Sequence, residues 1–172
     1  MNWAHVHLVF NHIPVIGVPL AFLLFLAALV RKSEELKKAG LASFILIALL
    51  ALPAYFTGEP AEGIVRNLSD VSKEMIEEHE KAALFSLVAL ELLGVVSLTG
   101  LVLSRGSRPL PRWTVITCLI LSLATAAMMA RTANLGGKVH HPEIRAESFR
   151  LAPNAPPCGQ GAVPARQTMS DA

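Results

Sequence analysis

Four long apolar runs divide the chain, over residues 6–30, 41–56, 82–103 and 113–133. A helix needs about 20 residues to cross a hydrocarbon core of ~30 Å. The first, third and fourth runs reach that length. The second run is shorter and contains Pro53, so it needs its flanks to span. The pattern predicts an all-α fold, a four-helix transmembrane bundle in contact with a lipid bilayer.

A polar connection over residues 57–81 separates the second run from the third. Within it, apolar residues and one histidine recur at helical spacing, at Ile64, Leu68, Val71, Met75 and His79. We expect an amphipathic segment that lies at the membrane interface or covers the end of the bundle, and that could continue into the third span. Residues 1–145 then form the four-span membrane domain. The Pro-, Gly- and Ala-rich residues 146–172 are predicted to be a disordered tail.

The composition agrees with a membrane protein and excludes several other classes. Hydrophobic residues make up 53% of the chain and charged residues 16%, whereas soluble domains average about 25% charged residues. A net charge of +2 gives no reason to expect nucleic-acid binding. The two cysteines form neither CxxC nor CxxCH, which argues against a cysteine-based zinc site and against covalently attached c-type haem. The sequence shows no internal repeat.

The distribution of basic residues predicts the orientation. Residues 31–40 carry four basic side chains and residues 104–112 carry three, whereas residues 57–81 carry seven acidic and three basic ones. Short loops rich in Lys and Arg stay in the cytoplasm. We therefore expect a multi-pass protein of a bacterial inner (cell) membrane, with both termini extracytoplasmic.

With this orientation, all the histidines lie at the extracytoplasmic end: His5, His7, His12, His79, His140 and His141. Imidazole is the commonest ligand of transition metals and also binds haem iron. One interpretation is a metal or haem site that uses at least two of these histidines. Alternatively, the histidines are ordinary residues of the membrane interface, or they sense protons. Because Pro14 is expected to begin the regular span, His12 should lie at the mouth of the bundle, close to His79.

Glu80 follows His79 directly and could support or join a metal site. The predicted metal ligands are therefore His12, His79, Glu80 and His140. Copper, zinc or iron would suit such a set better than calcium. The alternative is that Glu80 is one more solvated acid among its acidic neighbours.

Glu91 lies about halfway along the third run, where an ionisable group is costly and indicates a function. It is a candidate for proton transfer or for contact with a quinone headgroup. Ser122 and Thr125 of the fourth run are candidate hydrogen-bond partners. The alternative is a neutral carboxyl that serves only packing.

Four short motifs occur in order along the chain: HLVFNHIP at residues 7–14, TGEPAE at 57–62, HE at 79–80 and LGGKVH at 135–140. On these motifs residues 5–145 resemble a family of small four-span bacterial membrane proteins that has no established activity. Its members sometimes adjoin or are fused to c-type cytochrome modules, so the resemblance implies a respiratory setting. On this resemblance, His7, His12, His79 and His140 occupy the positions of the family's motif residues. The chain departs from the family at Ile13, where Phe is common, and at His141, which could replace His140 as the equivalent residue.

We therefore expect an integral membrane electron-transfer component with no enzymatic activity of its own. It would bind haem b through two histidines and exchange electrons with a quinol or a c-type cytochrome. The candidate ligands are His12, His79, His7, His140 and His141. The alternatives are a non-catalytic structural or assembly subunit of a larger membrane complex, and a protein that binds a transition metal.

Overall fold

The computed structural model describes residues 3–65, 73–106 and 108–140. These residues form five helices and no strand: α1 (Trp3–Val30), α2 (Glu34–Phe56), α3 (Gly58–Val65), α4 (Lys73–Leu103) and α5 (Arg112–His140). The helices α1, α2, α4 and α5 are long and apolar enough to cross a membrane. The predicted all-α four-helix bundle is confirmed.

The four long helices form a closed ring. Helix α1 packs against α2, α2 against α4, α4 against α5, and α5 against α1. The connections at residues 31–33 and 104–111 lie at one end of the ring, which we call the loop end. The short helix α3 lies at the opposite end, against α1 and α2. We call this opposite end the histidine end, because His7 and His79 lie there.

The first connection is shorter than the predicted loop over residues 31–40. Ser33 caps α2, since its hydroxyl accepts a hydrogen bond of 3.3 Å from the Leu36 N–H, and the helix begins at Glu34. The acidic side chains of Glu34 and Glu35 then lie in the first turn, where they favour a helix N-terminus. The early start gives the second span the length that its apolar run lacks.

Two further boundaries were predicted wrongly. Helix α1 begins at Trp3 and passes through Pro14 and Pro19, so Pro14 does not start the span. Membrane helices tolerate such prolines because neighbouring helices and local adjustments satisfy the freed carbonyls. Helix α5 continues through Gly136 to His140, seven residues beyond the end of the fourth apolar run at residue 133.

The connection between the second and third spans is described in part. Helix α4 begins at Lys73 and runs through His79 without a break, as predicted for a segment that continues into the third span. Residues 66–72 of the predicted amphipathic segment lie outside the described residues. The same holds for His141 and for the predicted tail over residues 146–172.

Apolar side chains cover the outside of the bundle as well as its core. Leu20, Phe85 and Ile120 are 61%, 65% and 62% exposed, on three different helices. Inside, the rings of Phe25 and Phe44 pack edge to face, with centroids 5.9 Å apart. An exterior this apolar is suited to lipid.

The α1–α2 and α4–α5 hairpins bury equivalent positions. Every buried residue of α1 has a buried counterpart in α4 that lies 72 positions later in the chain. The same 72 positions separate His7 from His79. The α1 residues are Pro14, Val18, Ala21, Phe25 and Ala28, and their counterparts are Ser86, Leu90, Leu93, Ser97 and Gly100. The two helices therefore face the bundle axis in the same register.

Helices α2 and α5 correspond with an offset of 78 positions, the difference between Gly58 and Gly136, and five of the seven buried residues of α2 have a buried counterpart in α5. The buried residues Gly40, Phe44, Ile47, Ala51 and Ala54 correspond to the buried residues Cys118, Ser122, Thr125, Met129 and Thr132. Equal register in both helix pairs indicates two hairpins related by a pseudo-twofold axis along the bundle, as in parallel membrane repeats. The sequence hides this repeat because the equivalent residues differ in chemistry.

Candidate functional site

His7 connects α1 to the end of α2. Its side chain is half-buried, and its Nδ1 lies 2.8 Å from the carbonyl oxygen of Ala54. Because a carbonyl oxygen can only accept, Nδ1 carries the proton and Nε2 keeps the lone pair. The ring lies beside Gly58, where an added Cβ would be 3.6 Å from its Cε1 atom.

His79 makes the corresponding carbonyl and glycine contacts between α4 and α5, but it lacks the 3.4 Å contact that His7 Nδ1 also makes with Thr57 Oγ1. It is half-buried, and its Nδ1 donates to the carbonyl oxygen of Thr132 over 3.2 Å. The ring lies beside Gly136, where an added Cβ would approach Cε1 to 3.0 Å. Here too the lone pair remains on Nε2.

The two histidines are equivalent in the repeated hairpins. His79 follows His7 at the α1-to-α4 offset, while the Thr132 carbonyl and Gly136 follow the Ala54 carbonyl and Gly58 at the α2-to-α5 offset. In each hairpin the glycine lies four residues beyond the accepting carbonyl, one helical turn further on. The histidine, the accepting carbonyl and the glycine of the first hairpin each have a counterpart in the second, so the two imidazoles form a matched pair.

His7 and His79 belong to opposite corners of the ring, since α1 and α4 each have α2 and α5 as neighbours. Both imidazoles nevertheless lie at the histidine end, one beside Gly58 and the other beside Gly136. Among the residues that the structure describes, neither Nε2 atom has a hydrogen-bond partner. Two Nε2 lone pairs are thus available at one end of the bundle.

Each imidazole has the hydrogen bond at Nδ1 that a ligating histidine usually makes. A ligating histidine almost always donates its other ring N–H to a carbonyl, a carboxylate or water, which fixes the tautomer and makes the ligating nitrogen more basic. His7 and His79 both have that bond already. Bis-histidine coordination of iron needs no third protein ligand, because the porphyrin supplies the other four nitrogens.

The other predicted ligands do not join this pair in the described part of the chain. His5 is exposed. His12 is exposed as well, and its Nδ1 donates to the carbonyl of Leu8 in its own helix over 2.6 Å. His140 is the last residue of α5, and His141 lies outside the described residues.

The predicted metal set has no support from the structure. Within residues 3–65, 73–106 and 108–140, no group of three or more His, Cys, Asp or Glu side chains could hold a metal ion. Glu80 is exposed on α4, next to the half-buried His79. A site built from His12, His79, Glu80 and His140 is therefore not supported, whereas a two-histidine haem site does not need such a group.

Glu91 lies deep in α4, with its Oε1 atom buried and without a hydrogen-bond partner among the described residues. The predicted partners do not bond it there. Ser122 donates to the Leu119 carbonyl over 3.1 Å, and the buried Thr125 hydroxyl also lacks a partner. The carboxyl oxygen thus faces the protein interior rather than open lipid.

No protein family matches the chain, and no curated protein or solved structure matches it either. The resemblance to small four-span proteins associated with c-type cytochromes therefore stays a prediction. The functional argument depends on the geometry of this chain alone.

Proposed function

We propose that the protein is an integral membrane electron-transfer component that binds haem b through Nε2 of His7 and His79. The observation that carries the proposal is the matched pair of half-buried imidazoles, each with Nδ1 bonded to a carbonyl of the neighbouring helix. Haem supplies one-electron chemistry when it is bound. The chain's part is to hold the iron, exclude water and orient the two rings.

The residues around each imidazole would make that possible. The Ala54 and Thr132 carbonyls fix the tautomer and the ring rotation, so each Nε2 is presented in a single direction. Gly58 and Gly136 leave room for the rings against α2 and α5. Both histidines would hold the group through Nε2 with the same carbonyl and glycine support, and His7 has the additional contact with Thr57.

The proposed setting is a bacterial inner membrane with the loop end in the cytoplasm. The exposed Arg31, Lys32, Arg105 and Arg108 at the loop end support this orientation. The haem would then lie near the extracytoplasmic surface, within reach of a c-type cytochrome or a quinol. Glu91, which is half-buried on the same helix as His79 and has a buried Oε1 atom, is the candidate for proton exchange in that reaction.

A second candidate is a non-catalytic structural or assembly subunit. The same two hydrogen bonds join α1 to α2 and α4 to α5 without any ligand, and polar side chains often link membrane helices in this way. In that case the histidines would stabilise the bundle and bind nothing. The two candidates differ in one measurable property, the presence of a chromophore.

The decisive experiment is a reduced-minus-oxidised visible spectrum of the purified full-length protein, with metal analysis alongside. We expect a haem b spectrum that is lost or shifted in His7→Ala and in His79→Ala, because losing one axial ligand changes the spin state and potential of the iron. His12→Ala is the matched control and should retain the spectrum, since His12 is exposed and bonded within α1. A protein with no Soret band after haem is supplied, and without near-stoichiometric copper, zinc or iron, would be a structural subunit.

A further inference from the structure

A cavity of about 400 Å³ at the loop end is lined by both charged and apolar side chains. The first hairpin contributes Glu34 and Lys37, from the first turns of α2. The second hairpin contributes residues around the start of α5, which are Pro109, Leu110, Arg112, Val115 and Ile116. The cavity therefore lies where the two hairpins meet at the loop end.

Glu34 is the acidic residue among these lining side chains, and both of its carboxylate oxygens already have partners. Its Oε1 atom accepts a hydrogen bond of 2.7 Å from Lys37 Nζ, and its Oε2 atom accepts one of 3.1 Å from the Leu110 N–H. These bonds tie the start of α2 to the connection before α5. The negative charge of Glu34 is therefore balanced within the protein.

Two cationic groups of the cavity have hydrogen-bond donors to spare. Lys37 Nζ carries three N–H donors, and Glu34 takes one of them. The Lys37 side chain is held in place and is only 16% exposed, although a lysine at a membrane surface usually extends into water. Arg112 has no hydrogen-bond or ionic partner among the described residues. The cavity thus offers an ammonium and a guanidinium group to an anion.

The start of α5 adds to this positive field. Of the long helices that the structure describes, α2 and α4 have acidic residues in their first turns, whereas α5 begins with Arg112 and has none there. The free N–H groups and the dipole of a helix N-terminus favour negative charge. A cation in this position makes the field more positive, so a bound anion would be stabilised by α5 and Arg112 together.

An apolar stripe leads away from the cavity along α5. Ile116 lines the cavity, and Ile120 and Leu123 follow it on the same helix face; all three are more than half exposed. Trp113, which is half-exposed, lies next to Arg112. Tryptophan is enriched at the headgroup level of a bilayer. The cavity therefore lies at the level of the headgroups, and the stripe lies at the level of the acyl chains.

The orientation signal alone does not account for this arrangement. Arg31, Lys32, Arg105 and Arg108 are exposed at the loop end and lie outside the cavity. Such residues can keep a loop in the cytoplasm without any particular partner. That role does not explain why Lys37 is held by Glu34 in a cavity that has one apolar wall.

We propose that this cavity binds the headgroup phosphate of an anionic phospholipid, with an acyl chain along Ile116, Ile120 and Leu123. Lys37 and Arg112 donate hydrogen bonds to the phosphate oxygens. Basic pockets between membrane helices bind anionic headgroups by this chemistry. Because α2 and the start of α5 both line the cavity, the bound lipid holds the two hairpins together. The proposal goes beyond haem binding and does not depend on it.

Native mass spectrometry of the full-length protein, released from a non-ionic detergent, measures the lipid that stays bound. The protein is titrated with phosphatidylglycerol and, in parallel, with phosphatidylcholine, which has the same phosphate but no net charge. We expect tighter binding of phosphatidylglycerol. Arg112→Gln should weaken that binding about fivefold, the usual effect of one basic residue near an anionic membrane surface. The fold should be unchanged, because Arg112 is exposed and unpaired among the described residues.

Arg105→Gln is the matched control. It removes the same charge from an exposed residue of the loop end that does not line the cavity, and it should bind phosphatidylglycerol with the wild-type affinity. Glycerol phosphate provides a second control, because it carries the charge without acyl chains. At an equal concentration it should not displace phosphatidylglycerol from the wild-type protein.

Each other result overturns the proposal. Equal affinities for the two lipids show that the cavity does not select an anionic headgroup. An unchanged affinity in Arg112→Gln shows that the phosphate does not bind beside Arg112. Equal losses in Arg105→Gln and Arg112→Gln attribute the binding to the overall charge of the loop end. Displacement by glycerol phosphate shows a phosphate site that has no need of a lipid.

Discussion

Ser86 and Thr132 join α4 to α5 through a hydrogen bond of 2.8 Å between their hydroxyls, at positions that Pro14 and Ala54 occupy in the first hairpin. The repeated frame of the bundle thus carries two kinds of interior. One hairpin holds its helices together by apolar contact and the other partly by hydroxyls. The histidine pair is common to both hairpins, while the buried Ser and Thr side chains of the described residues all belong to the second hairpin.

Removing the Thr132 hydroxyl should lower the free energy of unfolding more than removing the Ser86 hydroxyl. The Thr132 hydroxyl also donates to the Met128 carbonyl over 3.0 Å, whereas Ser86 has only Thr132 among the described residues. Thr132→Val leaves a buried donor unpaired and should lower the free energy of unfolding by ~1–3 kcal/mol. Ser86→Ala should cost less, because Thr132 keeps a partner.

A double-mutant cycle, with unfolding followed by circular dichroism in mixed detergent and denaturing detergent, measures the coupling between Ser86 and Thr132. We expect a coupling of about 0.6–1.7 kcal/mol, the range found for hydrogen bonds between membrane helices. Ser43→Ala is the control, since that exposed hydroxyl bonds only the Ala39 carbonyl of its own helix. Additive effects of the two substitutions would contradict the structure.

The second prediction concerns the glycine beside the His79 ring. An added Cβ at Gly136 would lie 3.0 Å from His79 Cε1, so Gly136→Ala must displace the imidazole or the helix. If His79 ligates haem, the substitution should shift or remove the haem spectrum. It should not weaken the helix itself, because Ala favours an α-helix over Gly by about 1 kcal/mol.

Gly137→Ala is the matched control for this experiment. It makes the same change one residue further along α5, where an added Cβ meets nothing within 4 Å. The haem spectrum of Gly137→Ala should equal that of the wild-type protein. A wild-type spectrum in Gly136→Ala as well would mean that the His79 ring does not serve as a ligand in this position.

The four spans were predictable because hydropathy over about 20 residues is a strong signal. The start of α2 was predictable in principle too, since Ser33 followed by two acidic residues is a helix start signal. The basic residues nearby led to a loop being predicted instead. The predicted start of the first span at Pro14 was wrong for another reason. In a bundle, neighbouring helices can satisfy the carbonyl that a proline leaves free, so the helix continues through it.

The identity of the central histidine pair was not predictable to the same degree. His7 shares its helical face with Pro14 and Ala21, which are buried, whereas His12 does not. That face could not be recognised from the sequence because α1 is apolar all round, so no hydrophobic side distinguishes the interior. The accepting carbonyls of Ala54 and Thr132 depend on the register between helices, which no single helix encodes.

The third prediction concerns orientation, which decides the compartment that the His7–His79 pair faces. We expect both connections at the loop end to be cytoplasmic, because their short basic segments resist translocation. Single cysteines at the exposed positions Glu35 and Pro109, in a Cys118→Ser, Cys158→Ser background, should not react with a membrane-impermeant maleimide in intact cells. The same cysteines should react after the cells are lysed.

A cysteine at Glu59 tests the opposite end in the same background. Glu59 is exposed in α3, at the histidine end, and should react in intact cells. The reverse labelling pattern would put the His7–His79 pair on the cytoplasmic side, where an extracytoplasmic c-type cytochrome could not reach it.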